Sequence, residues 1–220
     1  MIPCLLRDPK RRFHFFGRLA LLATAACAAR LAPIVESRPI APRDSSLKKV
    51  AVAPFVPGSA LADSLAPGTT SPDEAADSVA GFLSDALAAH GIPIVPPGKF
   101  GALPPGADGR SPDPVAAAQL AADRFEATGI LLGTLQRYRE REGSARSTSS
   151  PASVAFEVTF YAAPSGRKLW TARFSETQHS LNERPLDASR YPGGGTRWLT
   201  AAELARWGAD ATAESLTTGS

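Results

Sequence analysis

A stretch of strict alternation constrains this chain more than any other feature. Val154, Phe156, Val158 and Phe160 interleave with Ser153, Ala155, Glu157, Thr159 and Tyr161. Successive side chains of a strand point to opposite faces, so this run predicts a strand with one buried and one polar face. Pro164-Ser165-Gly166-Arg167 reads as a hairpin turn. The return strand holds Leu169, Trp170, Ala172 and Phe174, with charged Arg173 and Glu176 among them.

The segments before this hairpin alternate between strand and helix signals. Lys48-Lys49 leads into Val-Ala-Val-Ala-Pro-Phe55, a short apolar run that predicts a buried first strand, with a loop over 56–70. Ser71-Pro72-Asp73-Glu74 opens a helix: serine caps, proline suits the first turn and Glu74 completes a capping box. Val79, Phe82, Leu83, Ala86 and Leu87 share one face of it, and Gly91 after His90 stops it. Ile92–Val95 predicts a short strand, 96–110 a Gly/Pro-rich loop, and Ser111-Pro112-Asp113 a second helix running to about Phe125. From Gly129 to Arg141 the chain starts apolar and turns charged, as a strand leaving the core would. Residues 142–151 read as a polar loop. Thr200-Ala-Ala-Glu203 is a further capping box, opening a last helix over about 200–216 that Gly208 weakens. The predicted order is β-α-β-α-β-β-β-α. Two βα units followed by a meander imply an α/β (α+β) domain: a mixed sheet of about five strands with helices packed on it.

The N-terminus reads differently. Arg7, Lys10, Arg11, Arg12 and Arg18 precede the apolar run Leu19-Ala-Leu-Leu-Ala-Thr-Ala-Ala, which ends at Cys27. Basic, then apolar, then small residues at a processing point is the order of an export signal, predicted over 1–26. A membrane-spanning helix needs about 20 apolar residues, more than this run offers. Two processing points fit: ordinary cleavage after Ala23-Thr24-Ala25, or Cys27, where the segment resembles a bacterial lipoprotein signal and the resemblance implies lipid attachment. Residues 27–47, with three prolines and no periodicity, read as a lipidated N-terminus and tether, with a typical span of roughly 25 Å. The folded domain is expected over 48–220.

Processing also removes the charge argument. The chain has 24 basic and 21 acidic residues, a net charge of +3. Residues 1–26 hold five of the basic and one of the acidic groups, leaving 19 against 20, or −1. Nothing in that balance favours nucleic acid. Cys4 and Cys27 are the two cysteines, so the processed chain keeps one thiol and no internal disulfide.

Catalytic and metal signals are thin. His90 at a helix end and His179 near Glu176 and Gln178 read as a solvated cap and a strand-edge residue. No nucleophile-elbow string, cysteine pair or closely spaced histidine pair is present, and Gly193-Gly194-Gly195 lacks the Lys-Ser/Thr of a phosphate loop. The sequence therefore predicts neither an enzyme nor a cofactor or metal site. Arg137-Tyr138-Arg139-Glu140-Arg141-Glu142 reads as a solvated strand end. The candidate partner-binding surface is the segment carrying Arg190, Tyr191, Arg197 and Trp198, since Tyr, Trp and Arg are enriched at binding hot spots. The competing reading is that Trp198 anchors the last helix to the core.

Val50-Ala-Val-Ala-Pro-Phe55, the helix after it, Gly129-Ile-Leu-Leu-Gly-Thr-Leu and the Gly166-Arg-Lys-Leu-Trp170 hairpin are similar to the α/β domain of CsgG-like lipoproteins. The same domain type occurs in penicillin-binding-protein activators and the N-terminal domain of TolB. The resemblance covers about 48–180 and implies a non-catalytic module acting through an envelope protein partner, with a homo-oligomer of the curli-secretion type as one alternative and a secreted hydrolase as another. The N-terminus resembles a bacterial lipoprotein signal. With Ala28 and no aspartate after the cysteine, it implies a membrane anchor through Cys27 and an outer-membrane location facing the periplasm.

Overall fold

The computed structural model describes residues 34–41, 47–65, 70–180 and 182–218. The signal and Cys27 lie outside the described residues. Along the chain run β1 (Val35–Pro39), β2 (Val50–Val52), β3 (Val56–Pro57), α1 (Leu61–Ser64), α2 (Pro72–Ala89), β4 (Ile94–Val95) and α3 (Pro114–Phe125). There follow β5 (Gly129–Arg139), β6 (Glu142–Gly143), β7 (Thr148–Ser150), β8 (Ser153–Ala162), β9 (Arg167–Thr177), α4 (Pro185–Ala188) and α5 (Ala201–Thr218). The main sheet is ordered β1-β9-β8-β5-β2-β4, with β3 also on β5. The expected mixed sheet with helices packed on it is the fold found, and all five expected strands are in it.

The alternation in β8 sorts as predicted. Val154, Phe156, Val158 and Phe160 are buried in one core with Trp170, Ala172 and Phe174 of β9, under α2 and α5. Phe156 and Phe174 stack at 5.2 Å between ring centroids. Burying each aromatic contributes on the order of 2 kcal/mol, so this cluster dominates the core's stability. One detail breaks the alternation. Phe160 pairs with Trp170 and Tyr161 with Lys168, leaving Leu169 as the extra residue of a bulge. A bulge turns two neighbours to the same side, which is why Leu169 and Trp170 are both fully buried.

The parallel part is built on smaller residues. β2 lies between β4 and β5, parallel to both. α3 covers the opposite face there, packing Ala117, Ala118 and Ala121 against Ala51, Ala53 and Ile130. Glycine serves two close approaches. A Cβ at Gly133 would stand 2.3 Å from the Phe55 ring, and one at Gly208 would stand 2.7 Å from Phe174. Gly208 therefore seats α5 on the sheet, a role different from the weakening read in the sequence.

Three boundaries differ from expectation. Within the tether predicted over 27–47, Val35–Pro39 is a strand, antiparallel to β9. It buries Val35 alone and turns the other four residues to solvent, so it has no hydrophobic period to read. Pro39, lacking an N–H, blunts this edge of the sheet. The second helix starts at Pro114, because Asp113 caps it by accepting from the Val115 and Ala116 N–H groups. The loop 142–151 contains the small β6–β7 hairpin. The caps predicted elsewhere form: Ser71 Oγ accepts from Glu74 N–H at 3.2 Å, and Thr200 Oγ1 from Glu203 N–H at 3.1 Å.

Candidate functional site

The sequence-predicted surface lies in the connection between β9 and α5, and of its four residues the structure buries Tyr191. Tyr191 is buried at 3% exposure. Its hydroxyl donates to Glu176 Oε1 at 2.6 Å and accepts from His179 N–H at 3.3 Å, while its ring meets Trp207 edge-on at 5.1 Å. A phenol placed this way anchors the connection to α5 and is not offered to a partner. Arg197 is exposed but holds Glu203 in a two-pronged pair, both N···O distances 2.8 Å. Arg190 and Trp198 are half-buried.

Gln178 organises this segment. It is buried, and its amide donates to Arg197 O at 2.8 Å and accepts from Leu199 N–H at 2.7 Å. The Trp198 N–H donates to Ala145 O at 2.9 Å, and the Arg141 guanidinium donates to Trp198 O. Leu199, fully buried, is the apolar anchor of α5, so the role considered for Trp198 falls to its neighbour. Gly193, Gly194 and Gly195 all have φ near +70°, a succession that side-chain-bearing residues do not sustain. Glu203 gathers Arg197, the Thr200 N–H and the Thr200 hydroxyl. The guanidinium bond chiefly, with the Thr200 backbone bond, lowers its pKa from 4.5 to about 2.

A second feature was not legible beforehand. β2 leads into α2 on one face of the sheet, whereas its neighbour β4 leads into α3 on the other. The crevice beyond the carboxyl ends of two such strands is where open α/β sheets bind ligands. Here it is a cleft of about 310 Å³. Pro54, Phe55, Val56 and Pro57 form one wall, and Gly101, Leu103, Pro105, Arg110, Ser111 and Pro112 the other. The second wall is braced. Asp108 Oδ1 accepts from the Arg110 and Ser111 N–H groups at 3.0 and 2.9 Å, and Asp113 N–H reaches Pro104 O at 2.9 Å. The Ser111 and Arg110 backbone bonds also hold the Asp108 carboxyl below its ordinary value. Sequence reading saw this loop only as Gly/Pro-rich, because the strand order that makes it a wall is not local information.

His90 is the exposed C-cap of α2, and His179 Nδ1 lies 3.9 Å from Glu183. Among the described residues no three His, Cys, Asp or Glu side chains gather as metal ligands. No described helix is long and apolar enough to cross a membrane.

The class defined is a single α+β domain with a mixed sheet, helices on both faces and no closed barrel. No family model and no curated protein matches the chain. Among solved structures it is similar to the PelC dodecamer from Paraburkholderia phytofirmans: 19% identity, TM-score 0.44, over 80% of this chain and 96% of that one. It is also similar to lipoprotein GNA1162 from Neisseria meningitidis: 15% identity, TM-score 0.39, over 61% and 84% of the two chains. A third likeness is to the hypothetical protein CT253 from Chlamydia trachomatis: 15% identity, TM-score 0.35, over 65% and 78%.

Proposed function

We propose that this chain is a bacterial cell-envelope lipoprotein that acts as a non-catalytic interaction or assembly module, anchored through Cys27 and facing the periplasm. The observation that carries the interaction role is the crevice at the ends of β2 and β4. Its walls are prolines, Phe55, Leu103 and glycine, with Arg110 and Ser111 at one side. Such a lining suits an extended, largely apolar segment of a partner protein, because proline and aromatic surfaces contact it without ordering long side chains. The export signal ending at Cys27, and the resemblance of 48–180 to CsgG-like envelope domains, support the location.

Two measurements test this reading together. A palmitate analogue fed to expressing cells is expected to label the protein and to leave Cys27→Ala unlabelled. A photocrosslinker at Pro105, on the crevice wall, is expected to trap discrete envelope species that one at Val115, exposed on α3, does not. Labelling that survives Cys27→Ala overturns the anchor, and identical crosslinking from both positions overturns the crevice.

A further inference from the structure

The alternating charges of 137–142 take on a different meaning once β5 is placed. Arg137 pairs with Ala155 and Arg139 with Ser153, whereas Tyr138 pairs with Val154. The pleat therefore sends both arginines to the polar face of the meander. Glu140 goes the other way, where its Oε2 accepts from the Ala201 N–H at the start of α5. Sequence neighbours that would neutralise one another are separated by the sheet.

On that open face Arg137 is held in place by hydroxyls. Its Nε donates to Ser153 Oγ at 2.6 Å, and its Nη2 reaches Ser175 Oγ at 3.3 Å, two strands away. Ala155, opposite it, is small enough for the guanidinium to lie across β8. Ser153 Oγ in turn lies 2.6 Å from Thr177 Oγ1. Among the described residues neither Arg137 nor Arg139 has a carboxylate within ion-pair distance. On this face Arg173 pairs with Glu157 at 3.7 Å, and Glu36 of β1 stands opposite Arg173 in the strand register. Burial, then repulsion from Arg139 and Arg173, pushes the Arg137 guanidinium below its ordinary value, with Glu176 the one acid opposing this.

We propose that Arg137 and Arg139, with the hydroxyl of Ser175, form a binding site for a phosphate group on the open face of the sheet. The three present N–H and O–H donors and no acceptor charge, which matches an oxyanion. The planar guanidinium fork fits phosphate oxygens in pairs. The phosphate comes either as the free ion or as the headgroup of an anionic phospholipid. None of these three residues lines the crevice, and the test does not depend on the crevice's function.

The experiment uses the full chain, with Arg139→Gln and Arg137→Lys/Arg139→Gln as variants and thermal unfolding as the check on folding. Arg139 is exposed, so its single variant keeps the test valid if the double variant unfolds. In the first arm, inorganic phosphate is titrated while the arginine Nε–H signals are followed by NMR. In the second, flotation compares vesicles of phosphatidylcholine with vesicles also containing phosphatidylglycerol. Saturable shifts at Arg137 and Arg139, weakened about tenfold in Arg139→Gln, support a site for free phosphate. Preference for the anionic vesicles that falls by a similar factor in that variant, with no response to the free ion, supports a headgroup site. No response in either arm, or responses unchanged in the variants, overturns the proposal.

Discussion

The two halves of the sheet are packed by opposite means. From β5 to β1 the meander buries large aromatics, Phe156, Phe160, Trp170 and Phe174, on one face and leaves its polar residues on the other. From β4 to β5 the parallel part is sandwiched between α2 and α3, and the α3 side is packed by alanine. A sheet covered once needs bulk on its single core. A sheet covered twice brings a helix close, and small residues set the distance. The difference also divides the functional surface: the once-covered half has a free face, while the twice-covered half offers only the ends of its strands.

The two halves should therefore fail to opposite substitutions. Phe156→Ala in the meander is expected to reduce stability by about 3–5 kcal/mol, read from urea unfolding. Glu157→Ala, one residue on and facing out, is expected to stay within about 0.5 kcal/mol. In the parallel half the damage comes from enlargement. Ala118→Leu, on the fully buried face of α3 against the sheet, is expected to cost about 1–3 kcal/mol through overpacking. If Ala118→Leu is tolerated, α3 is not set by small-residue contact and the contrast collapses.

The same contrast explains what the sequence disclosed. The meander was legible because a single covered face writes a period of two into Val154, Phe156, Val158 and Phe160. β1 was not, since an edge strand that buries only Val35 leaves no pattern and its pairing with β9 is a backbone matter. The sequence also could not place Tyr191. Aromatic and arginine content marks a binding surface and a core anchor alike, and the Tyr191–Glu176 bond joins residues 15 apart in sequence through a turn whose path is tertiary. Arg137 and Arg139 are the reverse case. Their two-residue spacing on a predicted strand already puts them on one face, a signal hidden when the run is read only as alternating sign.

The β9–α5 connection sharpens the comparison, because it is secured by polar groups where both halves of the sheet use apolar ones. Gln178→Ala would leave the Leu199 N–H and the Arg197 carbonyl without their partner. Stranding buried polar groups in this way is expected to cost about 2 kcal/mol. An isosteric Gln178→Met that matches wild type in urea unfolding would show that shape alone holds the segment, as it does in the meander core.

A further effect, smaller than those of the core and of Gln178, has a distinct pH signature. In the folded chain Glu203 titrates at about 2, against 4.5 for an ordinary glutamate, because Arg197 and Thr200 favour its carboxylate. A depressed carboxyl pKa means that the folded state binds a proton less readily than the unfolded one. Its stabilisation is therefore complete above pH 4.5 and is lost as the pH falls through about 2. The Glu203 side chain is 37% exposed, so solvent screening limits the contribution to about 1 kcal/mol. Arg197→Met is expected to remove most of it at pH 7 and to flatten that part of the acid limb, as read from urea midpoints across the range. Core substitutions such as Phe156→Ala lower the whole curve and leave its slope unchanged. An Arg197→Met curve parallel to wild type would mean that the fork to Glu203 contributes nothing, and that the connection is held by Gln178 and Tyr191 alone.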